Sequence, residues 1–159
     1  MNKAQFQSDA SIGLAVMACQ ALEMLFALCV RLAFKHHSAA ALSEITPLEK
    51  NFSKPSMKTL LAELRRYIDV SAEFETKLNE LIDRRHTLIH RWGIEHGLPN
   101  DNAGYQKITT FSNNLAKDAN GLSNVLHKYI VQWMKKFQEF QEDLAENESI
   151  WLSLVPDEL

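Results

Sequence analysis

Cysteine is scarce: the 159-residue chain holds two, Cys19 and Cys29, and neither belongs to a Cys-x-x-Cys pair or a Cys/His ligand cluster. That excludes a disulfide framework and the usual zinc modules, and it makes both residues small buried groups of a reducing compartment. Five glycines and four prolines leave few natural breaks in long helices. No run of useful length alternates apolar with polar as a half-buried strand does, and internal repeats and low-complexity tracts are absent. The N-terminus lacks the basic head, short apolar run and small-residue cleavage site of a secretory leader, so a cytoplasmic location is expected.

What is present reads as helix. Hydrophobic residues at 46% and charged residues at 23% are ordinary for a globular protein. The length suffices for one domain over residues 1–159 with a continuous core. The expected fold class is all-α, an up-and-down helical bundle of about four to five helices around a long central N-terminal helix, in a dimer. Residues 12–34 are apolar enough to raise the question of a membrane span. Gln20, Glu23 and Arg31 interrupt them, however, and a span requires about 20 nearly uncharged residues; a buried helix, with no membrane partner, is the expectation.

Ser8 is predicted to cap that helix, which carries Ile12, Ala15, Cys19, Leu22, Phe26 and Val30 on spacings of three and four and ends near His37. Two prolines in residues 38–55 mark a connection, followed by a short helix over residues 56–68. Ser71 then caps a third helix that should reach His96, end at Gly97 and be stopped by Pro99. Helical spacing persists over residues 103–144. One rod of that extent would be roughly 60 Å long, so a break is predicted at Asn120-Gly121. The tail over residues 149–159, with Ile150, Trp151, Leu152, Leu154 and Val155, is too apolar to hang free and is expected to dock on the bundle or a partner.

Net charge is -3, which argues against a surface that binds nucleic acid all round. The distribution is uneven: residues 50–66 hold five bases (Lys50, Lys54, Lys58, Arg65, Arg66) against one acid, Glu63, while residues 139–159 hold seven acids and no base. A local basic face stays open beside the plainer interpretation of solvated helix surfaces.

The third helix carries the chemistry. At 100° per residue, Phe74, Leu78, Leu81, Leu88, Ile89 and Trp92 form a core-facing stripe that includes Arg85. A guanidinium there is costly unless paired, and Glu23, which interrupts the first helix in the same way, is its natural structural partner. His86 and His90, four residues apart, share a separate polar face with Asn79 and Asp83.

The run Asp83-Arg84-Arg85-His86-Thr87-Leu88-Ile89-His90 resembles the signature of the HEPN superfamily (higher eukaryotes and prokaryotes nucleotide-binding): an Arg, a polar neighbour, and a His after four to six intervening residues. Arg85-x4-His90 matches with His86 as the neighbour, and Arg84-x5-His90 fits the looser spacing. The position of the motif late in a long capped helix, and the Gln20-x-x-Glu23 pair in an apolar first helix, are similar to the family too. The resemblance implies a metal-independent endoribonuclease without cofactor, acting on RNA as a homodimer whose two motifs line one cleft. It also implies a toxin or defence role with an antitoxin or regulatory protein as partner.

In that scheme His90 is the acid or base, since imidazole titrates near neutrality and can take the proton of a ribose 2'-hydroxyl or give one to the leaving 5'-oxygen. Arg85 stabilises charge on the phosphate, His86 orients substrate or shares proton transfer, and Arg84 and Arg91 add positive potential. On a regular helix Arg85 and His90 leave the axis about 140° apart, which favours a site shared by two copies. Some toxin members carry Tyr two places after the His, where an antitoxin modifies it; Trp92 stands here, a departure that argues against that mode of regulation and does not bear on the cleavage chemistry.

Three other interpretations compete. His86-x3-His90 with His96 nearby could bind a metal, although Thr87 stands where the zinc-protease motif has Glu. A non-catalytic HEPN-like module binding nucleotide, RNA or protein is compatible with the acidic net charge and a structural Arg85. An unrelated bundle with surface histidines is the third.

Overall fold

The computed structural model describes residues 2–38, 56–66 and 68–154, with side chains over 2–31, 56–66, 68–136 and 138–139. Every regular element among them is helical: α1 Lys3–Ser38, α2 Met57–Leu64, α3 Ala72–His86, a π-helical turn Thr87–Arg91, α4 Trp92–His96 and α5 Asn102–Leu154. The π turn joins α3 and α4 without a break, so the bundle has four helical rods. The predicted connection falls largely outside the described residues, as do the side chains of the apolar tail, whose backbone continues α5 as far as Leu154.

Capping chemistry sets most of the boundaries. Ser56 accepts from the Thr59 amide and Ser71 from the Phe74 amide, each satisfying a donor that the first turn leaves open. Asp101 does the same for α5 through Gly104. At the other end of the motif helix Gly97 adopts φ +74°, a left-handed conformation that glycine takes without steric cost and that ends the helix. α1 departs from the sequence expectation. It starts at Lys3 with Asn2 accepting from the Gln5 amide, so Ser8 is not its cap but a buried residue within it.

Helix directions follow from the cross-contacts. Glu23 pairs with Arg85, and Phe26 meets Phe74 edge-on at 6.2 Å, so α3 runs against α1. Arg84 pairs with Asp118, while Trp92 packs on Phe111, so the α3–α4 rod also runs against α5. α1 and α5 therefore run parallel, with Cys29 reaching the Leu126 carbonyl at their far end. On α2, Lys58 faces Asp83 and Arg65 pairs with Glu75, which sets α2 parallel to α1. The order is up, up, down, up rather than strictly up-and-down.

The core lies where α1, α3 and α5 meet: Cys19, Leu22 and Phe26 of α1, Leu78 and Leu81 of α3, and Leu115 of α5 are fully or almost fully buried. α2 closes one end with Leu60, Leu61 and Leu64. α5 does not break at Asn120-Gly121 but stays helical throughout, because Ala119, Leu122 and Leu126 continue its buried stripe. A glycine inside a helix costs about 1 kcal/mol relative to alanine, and the packing on either side outweighs it. A Cβ on Gly121 would meet nothing within 4 Å. Gly121→Ala is therefore expected to stabilise the protein by about 0.5–1 kcal/mol in urea unfolding; a loss of stability would mean that the chain bends there.

Candidate functional site

The segment with the Arg and His residues is where the rod departs from α-helical geometry. Residues Thr87–Arg91 form an i→i+5 turn, and Arg91, with φ -121° and ψ -8°, is where the backbone returns to the α-helix. Single π turns are frequent at functional positions. The wider turn advances each residue by less than 100°, so His90 falls short of the about 140° separation from Arg85 that a regular helix would impose. The same lag accounts for Ile89, which the periodicity assigns to the core stripe but which is 41% exposed, whereas Leu88 and Trp92 remain buried.

His86 and His90 are both exposed, their ring centroids 5.0 Å apart. Arg85 is partly buried beneath them, with Nη1 3.6 Å from Glu23 Oε1 and each side chain about a third exposed. A pair so placed contributes at most about 1 kcal/mol, so its main effect is positional: it ties the motif turn to the middle of α1. The Arg85 Nε is buried and has no hydrogen-bond partner.

Arg84 points to the other side of the rod, pairing with Asp118 and lying over the Phe111 ring at 5.4 Å. Arg91 pairs with Glu95 at 3.7 Å on the exposed surface. Five of the six predicted site residues thus lie on one continuous helical rod, with Glu23 reaching them from α1. Of the two arginines, Arg85 is the one that shares a flank with α1; Arg84 is committed to α5.

Asp118 was not foreseeable as a partner for Arg84. It sits on the solvated side of α5, and only the register between the two helices brings it there. His96, the third imidazole of the metal interpretation, lies tilted against Trp92 with ring centroids 4.5 Å apart and approaches Lys107. Among the described residues no group of three His, Cys, Asp or Glu side chains is placed to hold a metal. Trp92 itself is a packing residue, 7% exposed and set edge-on against Phe111 at 5.1 Å.

Cys19 lies on α1 one turn before Glu23 and is fully buried. Burial pushes its thiol from the ordinary 9.0 up to about 11, with Arg85 pulling it down and Glu23 pushing it up. Burial alone pushes Cys29 up to about 12. Below pH 9 both states keep these protons and the thiol contribution to stability is fully present. Above it the unfolded chain ionises first, so that contribution is lost as pH rises toward 11–12. A disulfide reagent at neutral pH is expected to modify neither thiol until denaturant is added; rapid labelling of Cys19 in the folded protein would contradict this core.

α1 over Lys3–Arg31 is long and apolar enough to cross a membrane by length and composition, a property that core helices of soluble bundles share. The chain matches no family model, no curated protein and no solved structure.

Proposed function

We propose that the chain is a metal-independent endoribonuclease of the HEPN type, cleaving RNA at a site composed from two copies and serving as a toxin or defence component in the cytoplasm. The observation that carries this reading is the π turn. It presents His86 and His90 side by side to solvent, directly after an arginine whose other flank is held by Glu23.

In the reaction one imidazole removes the proton of a ribose 2'-hydroxyl as its oxygen attacks the adjacent phosphorus. The bond to the 5'-oxygen breaks, and an imidazole returns a proton to that leaving oxygen. Arg85 stabilises the charge that builds on the non-bridging oxygens. The products are a 2',3'-cyclic phosphate and a 5'-hydroxyl, with no cation required. His90 is the acid or base and Arg85 the phosphate clamp. His86 orients substrate or shares the proton, and Arg84 and Arg91 supply positive potential.

A non-catalytic HEPN-like module binding nucleotide, RNA or a protein is the second reading. It is favoured by the fact that Arg84, Arg85 and Arg91 each already face an acid, Asp118, Glu23 and Glu95. Incubation of the purified protein with single-stranded RNA in EDTA separates the two. Cleavage supports the enzyme, and intact RNA bound by a folded protein supports the module.

A further inference from the structure

The outward side of α1 is apolar where a solvated helix should be polar. Opposite the buried Ala15, Cys19, Leu22 and Phe26 run Ala10, Leu14, Met17, Ala21, Met24 and Leu28, spaced four, three, four, three, four. Leu14, Met17 and Met24 are 60%, 66% and 63% exposed, Ala10 and Ala21 are exposed, and Leu28 is partly so. A helix apolar on all sides is a buried helix, and a strict 3.5-residue repeat is the seam of a helix pair rather than the stripe of a surface helix. Among the described residues, α1 is covered on one side only.

A bilayer fits this side poorly. α1 packs along α5, and α5 exposes Lys107, Asn114, Lys117, Asp118, His127 and Lys128, which would be drawn to the same depth. We infer that the outward face of α1 pairs antiparallel with the same face of a second copy, across a two-fold axis passing between Met17 and Ala21. The seam is self-complementary in that orientation: Ala10 opposes Leu28, Met17 opposes Ala21 and Leu14 opposes Met24, so that small residues receive large ones in two of the three layers. A parallel seam stacks Ala on Ala and Met on Met, leaving gaps beside crowded layers.

The seam by itself is smaller than a standard interface. The stripe is about 27 Å long at 1.5 Å per residue and about 10 Å wide, on the order of 270 Å² in projection, against about 800 Å² per partner in a standard interface. A stable pair therefore needs the same copy to cover further surface beside the seam. Along α1 the axis lies about one turn from Glu23, the residue that ties the motif turn to this helix. The pairing rests on the seam itself; its meaning for catalysis rests on the composite-site reading above.

Sedimentation equilibrium of the full chain tests it, together with RNA cleavage. Wild type is expected to be a dimer of the 18.2 kDa chain. Met17→Glu, with unchanged helical circular dichroism, is expected to raise the dissociation constant at least about 100-fold, while Met17→Leu leaves it unchanged. Oxidation of the Met17→Cys/Ala21→Cys double variant should give a covalent dimer. A wild-type monomer overturns the inference, as does binding to phosphatidylcholine vesicles that Met17→Glu abolishes, a dimer that Met17→Glu leaves intact, or a cross-link formed by Met17→Cys alone. A dimer that Met17→Glu splits but that cuts no RNA upholds the pairing and removes the nuclease; RNA cleavage by a protein whose dimer ignores Met17→Glu does the reverse.

Discussion

His90→Ala is expected to lower RNA cleavage by about 10³-fold or more, because a positioned acid or base contributes about 10²–10⁴ to proton transfer and His90 is the imidazole that the turn presents outward. Arg85→Ala is expected to lose about 10²–10³, the usual loss when one stabiliser of developing charge is removed. The two differ in their structural consequences. His90 is exposed, so its removal leaves the fold untouched. Arg85→Ala strands the Glu23 carboxylate, which is only 28% exposed. The cost is about 1 kcal/mol for a partly solvated group, too little to unfold the bundle. Arg85→Lys keeps the charge but loses the planar fork, and it is expected to restore the pairing with Glu23 without restoring full activity. Single-turnover cleavage and urea unfolding of the same preparations check both halves. Equal loss of rate and of stability in Arg85→Ala would make the arginine structural only.

Phe26→Ala is expected to cost about 3–5 kcal/mol in urea unfolding, the range for deleting a large buried side chain. The ring is fully buried and meets Phe74 edge-on at 6.2 Å, so its removal opens a cavity between α1 and α3 and forfeits an aromatic pair worth about 0.5–1.5 kcal/mol. Against a typical total of about 5–15 kcal/mol, that is a large fraction. Measured on monomeric protein, Met24→Ala, two residues away on the outward face, is expected to change stability by less than about 0.5 kcal/mol. The contrast assigns the two sides of α1. A cost below about 1 kcal/mol for Phe26→Ala would mean that α1 is not the centre of the bundle.

The elements that were legible in the sequence are those set by local chemistry. Ser71 and Gly97 bound the motif rod because a serine hydroxyl and a left-handed glycine act within one turn of their own position. The pairing of Glu23 with Arg85 was legible because two charges interrupted two apolar stripes, and each had to find the other. What escaped was set by tertiary contact. Gly121 looks like a break in isolation, yet α5 runs through it because the stripe on either side is buried. α2 lies parallel to α1 although the two are consecutive, an orientation set by its ion pairs with α3 rather than by any local signal.

At the site, the sequence favours Arg85 as the phosphate clamp but leaves Arg84 compatible with the looser spacing. The register with α5 gives Arg84 to Asp118 and leaves Arg85 beside α1. Nothing in Thr87-Leu88-Ile89-His90-Arg91 announces an i→i+5 turn: it holds no proline or glycine, and the turn begins without a side-chain cap hydrogen bond. Its effect on Ile89 and His90 is visible only once the backbone is known.

The central claim is that these imidazoles and this guanidinium act on a ribose phosphodiester through its own 2'-hydroxyl. End-group analysis of single-stranded RNA treated with the protein in EDTA tests it most directly, with a 2'-O-methyl RNA of the same sequence alongside. Fragments ending in 2',3'-cyclic phosphate and 5'-hydroxyl, and an untouched methylated strand, are the expected result. Intact RNA in the presence of folded, dimeric protein, or cleavage of the methylated strand, would contradict the account.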